Sequence, residues 1–123
     1  MQHSKGFLKL VDDAKSRIRE TAPEEVRSKQ ESGERFHFID VREDYEWQRG
    51  HAAGAIHLGK GVIERDIEAT VQDHGAEIVL YCGGGYRSAL AADALQRMGY
   101  TNVVSMEGGW KEWCGLEYPI ERD

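Results

Sequence analysis

The feature that most limits the fold of this chain is an apolar run that ends in a cysteine and a glycine loop. Residues 77–81 (EIVLY) are typical of a buried strand, and Cys82 and three consecutive glycines follow directly. A helical pattern then runs to Met98, where Gly99 is placed to end the helix. A strand that leads through a short loop into a helix is typical of α/β proteins. The segment therefore predicts a mostly parallel sheet with Cys82 at the carboxyl end of a strand.

The rest of the chain alternates between strand-like and helix-like segments in the same way. Short runs rich in Val, Ile and aromatic residues predict strands, and longer runs with helical spacing predict helices. A length of 123 residues fits one such α/β domain. The predicted strands span residues 36–41, 55–58, 77–81 and 103–106, and the predicted helices span 22–30, 42–47, 62–72, 86–98 and 109–114.

The first twenty residues stand apart from this alternation. Apolar residues recur there every three or four positions, which predicts an amphipathic helix over residues 4–20. We therefore divide the chain into an N-terminal helix (1–20) and an α/β domain (21–123). The stripe either packs against that domain or binds a partner, and a capping box with Thr21 as N-cap and Glu24 is expected to begin the next helix. The stripe consists of Phe7, Leu10, Val11, Ala14 and Ile18.

Composition and charge limit the kinds of partner that the protein is expected to bind. A formal net charge of −6 disfavours binding to nucleic acid or to anionic membranes. No apolar run approaches the ~18 residues that cross a bilayer, and the polar first segment lacks the apolar stretch of a signal peptide. The two cysteines, Cys82 and Cys114, have neither a disulfide framework nor zinc-ligand spacing. We therefore expect a cytoplasmic location, where an isolated cysteine is either inert or a reactive thiol.

Cys82 is predicted to lie at the carboxyl end of a strand, where open α/β sheets bind their ligands. A glycine loop that curls before a helix turns its N–H groups toward one point, and the helix N-terminus adds positive potential there. We therefore expect the thiolate form of Cys82 to be stabilised, with Arg87 adding a fixed positive charge. The alternative is a buried, inert cysteine before a flexible turn. The predicted anion-binding loop consists of Gly83, Gly84, Gly85, Tyr86, Arg87 and Ser88.

Four segments, in order, resemble the rhodanese-like sulfurtransferase family, in its single-domain form. FIDVREDYEWQRGHAAGAIHL (38–58) is similar to the first signature of the family, and VLYCGGGYRSALAADALQRMGY (79–100) resembles its active-site strand, loop and helix. VVSMEGGWKEW (103–113) and LEYPI (116–120) resemble its closing signature and tail. The resemblance implies a three-layer α/β/α fold with a mostly parallel central sheet. The first helix lies outside the resemblance and is expected as an addition to that fold.

The resemblance also implies an activity. A thiolate at Cys82 would take sulfane sulfur from a small anionic donor such as thiosulfate, forming a persulfide, and pass it to cyanide, a thiol or a protein acceptor. The loop amides of residues 83–88 would stabilise the thiolate, the persulfide and the donor. No metal or organic cofactor is implied. Two alternatives stay open: a catalytically silent binding or regulatory module, and a redox-sensing protein in which Cys114 resolves an oxidised Cys82.

Loop length and loop composition bear on the reaction. From Cys82 to Arg87 the spacing is C-x4-R, as in the sulfurtransferases of this family, whereas the related phosphatases and arsenate reductases carry C-x5-R. Phosphoryl transfer is therefore disfavoured. The loop also differs from the basic loop typical of thiosulfate enzymes, which leaves the donor open. We hypothesise that Arg87 contacts the donor anion and that Tyr86 packs over the mouth of the loop.

Several other residues have mainly structural interpretations. Asp40 and Arg42 are expected to pair at a strand end and hold the loop in shape. His51 and His57 lie in a glycine-rich connection and are expected to serve the turn and its packing. The sequence therefore predicts one nucleophile, Cys82, supported by a loop and by an ion pair.

Overall fold

The computed structural model describes residues 2–122 of the chain. Within this range no helix is both long enough and apolar enough to cross a bilayer. The helices are α1 (Lys5–Lys15), α2 (Pro23–Glu31), α3 (Asp44–Gln48), α4 (Ile63–Thr70), α5 (Tyr86–Arg97) and α6 (Gly109–Gly115). The strands are β1 (Arg19–Thr21), β2 (His37–Asp40), β3 (His51–Ala52), β4 (Ile56–His57), β5 (Ile78–Tyr81), β6 (Val103–Met106) and β7 (Ile120–Glu121).

The main sheet has five strands in the order β1-β6-β5-β2-β4, and neighbouring strands run parallel. β5 lies at its centre, paired with β2 on one side and with β6 on the other. A central strand covered on both faces must be apolar throughout, which explains why all four residues of β5 are buried. The predicted α/β fold with a mostly parallel sheet is confirmed.

Alternate residues of the strands supply two hydrophobic cores, one on each face of the sheet. Ile39, Ile78 and Leu80 point toward the face covered by α4 and α5, whereas Phe38 and Val79 point toward the face covered by α2 and α6. This period of two is what a strand buried on both faces requires. The result is the predicted α/β/α arrangement of three layers.

The first helix is shorter than predicted. α1 ends at Lys15, and Arg19–Thr21 forms β1, an edge strand that pairs in parallel with β6. The prediction of a helix to residue 20 is wrong, because residues 19–21 gain strand hydrogen bonds that helical periodicity does not reveal. Val11 and Ala14 are buried, while Leu10 is exposed. The division at residue 20 stays a prediction, and its end residues 1 and 123 lie outside the described range.

The predicted capping box at Thr21 is also wrong. Ala22 is the N-cap of α2, with Pro23 in the first turn, and the Thr21 hydroxyl donates instead to Glu25. Thr21 belongs to β1, so its backbone is already committed to the sheet. A capping arrangement is found at α3, where the Glu46 carboxylate accepts from the backbone N–H of Glu43 at 3.0 Å.

Candidate active site

The sulfur of Cys82 lies at the carboxyl end of β5, where the chain leaves the sheet for the glycine loop. The Cys82 residue as a whole is 1% exposed. The backbone N–H groups of Gly85 and Ser88 donate to Sγ at 3.1 and 3.4 Å, and the Ser88 hydroxyl oxygen lies 3.5 Å from it. Gly85 has a φ of +101°, a conformation that glycine adopts without strain. The curl predicted from the three glycines thus brings three polar hydrogen-bonding groups to one sulfur.

The hydroxyl of Ser88 is itself held by a neighbouring strand. Ser88 and Ser105 are fully buried, and their hydroxyl oxygens are 2.8 Å apart. Ser105 lies on β6, next to β5. The contact fixes the side chain of Ser88 beside the sulfur, and it links the loop to the adjacent strand. Ser105 could not be identified from the sequence, because nothing in the spacing of VVSM marks its serine as a partner of position 88.

The carbonyl groups at the start of the loop face the opposite way, toward α6. The N–H of Trp110 donates to the Cys82 carbonyl at 2.7 Å, and the N–H of Lys111 donates to the Gly83 carbonyl at 3.1 Å. A side chain at Gly109 would overlap the Cys82 carbonyl oxygen, and its φ is +50°. The first turn of α6 therefore holds the loop carbonyls, which leaves the N–H groups of Gly85 and Ser88 directed at the sulfur.

Asp40 and Arg42 form a buried ion pair beside this loop. The Arg42 Nη2 and Nε atoms donate to the Asp40 carboxylate at 2.8 and 3.1 Å, and Nη2 also donates to the Gly50 carbonyl at 2.7 Å. Burial alone would lower the pKa of Arg42, but its hydrogen bonds to Asp40 raise the pKa above its ordinary value. The guanidinium also lies 4.6 Å from the ring centre of Trp110. The pair thus supports the aromatic residue whose N–H holds Cys82.

Arg87 forms an ion pair that the sequence did not predict. Its Nη1 and Nη2 atoms donate to the two carboxylate oxygens of Glu46 on α3, at 2.6 and 3.1 Å. The hydrogen bond from Arg87 lowers the pKa of Glu46 below its ordinary 4.5, so the carboxylate is charged at neutral pH. In this structure, the guanidinium expected to meet a donor anion is thus held by a carboxylate. Positions 46 and 87 are far apart in the chain, and no spacing rule connects them.

A cavity of about 500 Å³ opens over Cys82. Gly84, Tyr86 and Arg87 of the loop and helix line it, and so do residues of the first helix and the segment before it, including His3 and Phe7. The Tyr86 ring is nearly perpendicular to that of His3, with 4.8 Å between ring centres. The contribution of the first helix could not be predicted from the sequence, since its stripe indicates packing or partner binding and carries no sign of a site.

The remaining candidates lie in structural surroundings. The His51 ring stacks on Trp47 with 3.4 Å between ring centres, and the His57 Nε2 atom lies 2.8 Å from the Arg42 carbonyl oxygen. Cys114 is exposed on α6, and partial burial of its sulfur raises the pKa of its thiol. In the part of the chain that the structure describes, no group of three or more His, Cys, Asp or Glu side chains is arranged to hold a metal ion.

Known proteins resemble this chain in sequence. A family model described as the rhodanese-like domain matches residues 22–116. The chain is 34% identical over 83 residues to the thiosulfate sulfurtransferase GlpE of Haemophilus influenzae, which covers 68% of this chain and 77% of that protein. It is 31% identical to the putative sulfur carrier protein YrkF of Bacillus subtilis over 81% of this chain. The chain spans only about half, 53%, of the length of YrkF.

Solved structures agree on the fold. A protein of unknown function from Rhodopseudomonas palustris, described as a possible tyrosine phosphatase, superimposes with a TM-score of 0.88 at 30% identity. The match covers 98% of both chains, so it includes the first helix. The family match spans the strand, the glycine loop and the ion pairs described above. The chain therefore belongs to the rhodanese-like domain family.

Proposed function

We propose that this protein is a sulfurtransferase that carries sulfane sulfur on Cys82 as a persulfide. The observation that carries the proposal is the set of polar groups around the sulfur: the N–H groups of Gly85 and Ser88 and the hydroxyl of Ser88. Preorganised donors of this kind stabilise a negative charge on sulfur in the thiolate and in the transition state. Relatives of this chain are named sulfurtransferases, which supports the same reaction class.

In the first step, the Cys82 thiolate attacks the outer sulfur of thiosulfate. A sulfur–sulfur bond forms on the enzyme as the bond to the sulfonate sulfur breaks, and sulfite leaves with the electron pair. The enzyme then holds a persulfide whose terminal sulfur is negatively charged. No net oxidation is needed, because the thiolate supplies the electron pair of the new bond and sulfite carries away the pair of the broken bond. The amides of residues 83–88 would stabilise both the thiolate and the persulfide.

In the second step, a thiophilic acceptor attacks the terminal sulfur. Cyanide forms a carbon–sulfur bond, thiocyanate leaves, and the Cys82 thiolate is restored with its electron pair. A small-molecule thiol or a protein thiol would accept the sulfur by the same displacement. Since a reduced thiol carries the cycle, we propose a cytoplasmic location for it.

Intact-protein mass spectrometry tests the proposal directly. We expect the protein to gain the mass of one sulfur atom when it is incubated with thiosulfate, and to lose that mass when cyanide is added. Peptide mapping should place the added sulfur on Cys82. A protein that gains no sulfur from thiosulfate or from an organic sulfane-sulfur donor would instead support the silent binding module.

The redox alternative predicts a different product. Mild oxidation would then join Cys82 and Cys114, with a loss of two hydrogen atoms and no dependence on a sulfur donor. The raised pKa of Cys114 disfavours this alternative, since a thiol that ionises less readily is a weaker resolving nucleophile at neutral pH. Phosphoryl transfer is disfavoured by the short loop, and by the Glu46 carboxylate on Arg87, which would repel a phosphate dianion.

We further propose that Arg87 binds the donor anion and that Glu46 competes with that anion. A donor that approaches the guanidinium must weaken two charge-assisted hydrogen bonds to Glu46. Because Arg87 lowers the pKa of Glu46, this competition persists at neutral pH and is lost only as pH falls below about 4.5, where the carboxylate takes up a proton.

Replacing Glu46 by glutamine should therefore improve the binding of thiosulfate. We expect the Glu46→Gln variant to lower the KM for thiosulfate by about three- to tenfold, since it removes a charge competitor but keeps the shape of the side chain. Steady-state cyanide assays at neutral pH measure this change.

Two further variants show whether a change in the KM for thiosulfate comes from the ion pair of Arg87 and Glu46. Glu31→Gln removes one negative charge from an exposed position on α2 and should leave KM unchanged, which separates local competition from a change of net charge. Arg87→Ala should raise KM by about tenfold or more. An unchanged KM in both Glu46→Gln and Arg87→Ala would show that this ion pair does not bind the donor.

A further inference from the structure

The cavity over Cys82 is larger than a small inorganic anion requires. Its volume of about 500 Å³ is in the range of pockets that hold organic ligands. Cys82 and Gly84 of the loop line it, and His3, Ser4 and Phe7 at the start of the first helix form another part of its wall. This part of the wall lies outside residues 22–116, the range of the family match. The site of this chain is thus built in part from a segment beyond the family match.

Aromatic rings form this wall and support one another. The ring centre of His3 lies 5.2 Å from that of Phe7 and 4.8 Å from that of Tyr86, and the Phe7 and Tyr86 rings meet edge to face at 6.3 Å. Each of the three residues is only partly buried, so part of its surface is left for a ligand. Such contacts favour a flat or apolar group over a hydrated inorganic ion.

The wall is fixed relative to the reacting sulfur. The Ser4 hydroxyl caps α1 by accepting from the Phe7 N–H at 3.3 Å, and Arg17 binds both carboxylate oxygens of Asp93 on α5, at 3.0 and 2.8 Å. Val11 and Ala14 are buried between these anchors. Since α5 begins at the active-site loop, the first helix and the loop are held by the same element.

The charged residues that line the cavity also favour an organic donor over thiosulfate. The guanidinium of Arg87 is paired with the Glu46 carboxylate, and both residues line the cavity. A dianion such as thiosulfate therefore gains little net attraction there and is repelled by Glu46. A donor with one negative charge on its sulfur and an uncharged organic body meets less repulsion and finds the aromatic wall.

We infer that the first helix selects the sulfur donor, and that the preferred donor is a monoanionic organic sulfane-sulfur compound with an aromatic or other apolar body. The inference rests on the proposed function, because it assumes that Cys82 accepts sulfur. With an organic thiosulfonate, the Cys82 thiolate attacks the terminal sulfur, the bond between the two sulfur atoms breaks, and a sulfinate leaves with the electron pair. The organic group of the donor lies against His3, Phe7 and Tyr86 during this step.

Two thiosulfonates that differ only in their body test the inference. Benzenethiosulfonate and methanethiosulfonate carry the same reacting group and charge, and cyanide serves as acceptor for both. The measured quantity is the ratio of their kcat/KM values, benzene over methane, in the full-length protein and its variants. Because intrinsic reactivity is the same for every variant, a change of this ratio reports contact between the protein and the phenyl ring.

We expect Phe7→Ala to lower the ratio by about five- to tenfold, the contribution of a lost ring contact, and His3→Ala to lower it in the same direction. Leu10→Ala is the matched control: it removes an apolar side chain from the same helix at a position that is 56% exposed and does not line the cavity. It should leave the ratio unchanged. His3→Ala lies before the helix, so it tests the wall even if Phe7→Ala unfolds α1.

The possible failures are distinct. If thiosulfate and both thiosulfonates transfer sulfur but neither Phe7→Ala nor His3→Ala changes the ratio, the inference about the first helix is wrong and the proposed function stands. If none of the three donors adds sulfur to Cys82, the proposed function itself is wrong. A fall of the ratio in Leu10→Ala equal to that in Phe7→Ala would also overturn the inference, because it would indicate a general effect of damage to α1.

Discussion

Replacing Cys82 by serine is expected to reduce thiosulfate–cyanide turnover by roughly 10⁴-fold or more, the loss typical of a removed catalytic nucleophile. Serine has nearly the same shape, and Cys82 is buried at the end of a central strand, so the fold should be retained. The hydroxyl is not ionised at neutral pH, and the surrounding N–H groups would then face a neutral oxygen. Turnover under saturating donor, together with a circular dichroism spectrum, measures both points.

Cys114→Ser is the matched control for this experiment. Cys114 is exposed on α6, and the proposed cycle does not use it. We expect it to keep the turnover of the natural protein. Equal losses in both cysteine variants would show that turnover does not depend on Cys82 alone, and undiminished turnover in Cys82→Ser would exclude the persulfide at this residue.

The second large effect concerns stability. Asp40→Ala is expected to lower the free energy of unfolding by about 3–5 kcal/mol, because it leaves the charge of Arg42 buried without its partner. Arg42 is 3% exposed, and Asp40 is fully buried. The loss should appear as a lower midpoint in urea denaturation with an unchanged slope.

Two comparisons separate this effect from a general loss of charge. The exposed pair of Arg65 and Asp66 on α4 has similar hydrogen-bond geometry, yet Asp66→Ala should change stability little because water screens the pair. The double variant Asp40→Ala with Arg42→Met should be more stable than Asp40→Ala alone, since no unpaired charge is then buried. Equal stabilities of that double variant and Asp40→Ala would show that the loss comes from packing.

Local patterns were sufficient to predict most of the fold. The strand at 103–106 was predicted with its observed bounds, and the alternation of apolar runs with helical segments indicated a parallel sheet. β1 was missed because residues 19–21 become a strand only through pairing with β6, which no local pattern shows. The two-residue strands β3 and β7 were missed for the same reason, since each depends on the other.

The site also has residues that could be predicted from the sequence and residues that could not. Cys82 and its loop were visible because glycines, a cysteine and a helix start lie next to one another in the chain. Asp40 and Arg42 are two positions apart, so their pairing could also be expected. Ser105, Glu46 and Phe7 come to the site from other elements, over distances in sequence that no motif covers. The part that could not be predicted is therefore the part that orients Ser88, holds Arg87 and shapes the cavity.

The position of β1 has a practical consequence for work with shortened forms of this protein. A fragment begun at residue 22, where the family match starts, would omit both the first helix and Arg19–Thr21. The outer side of β6 would then present unpaired peptide groups to water, and such a bare sheet border invites pairing with a second molecule. Oligomers or aggregates formed by such a fragment would arise from the removal of β1. They would not show how the full chain associates.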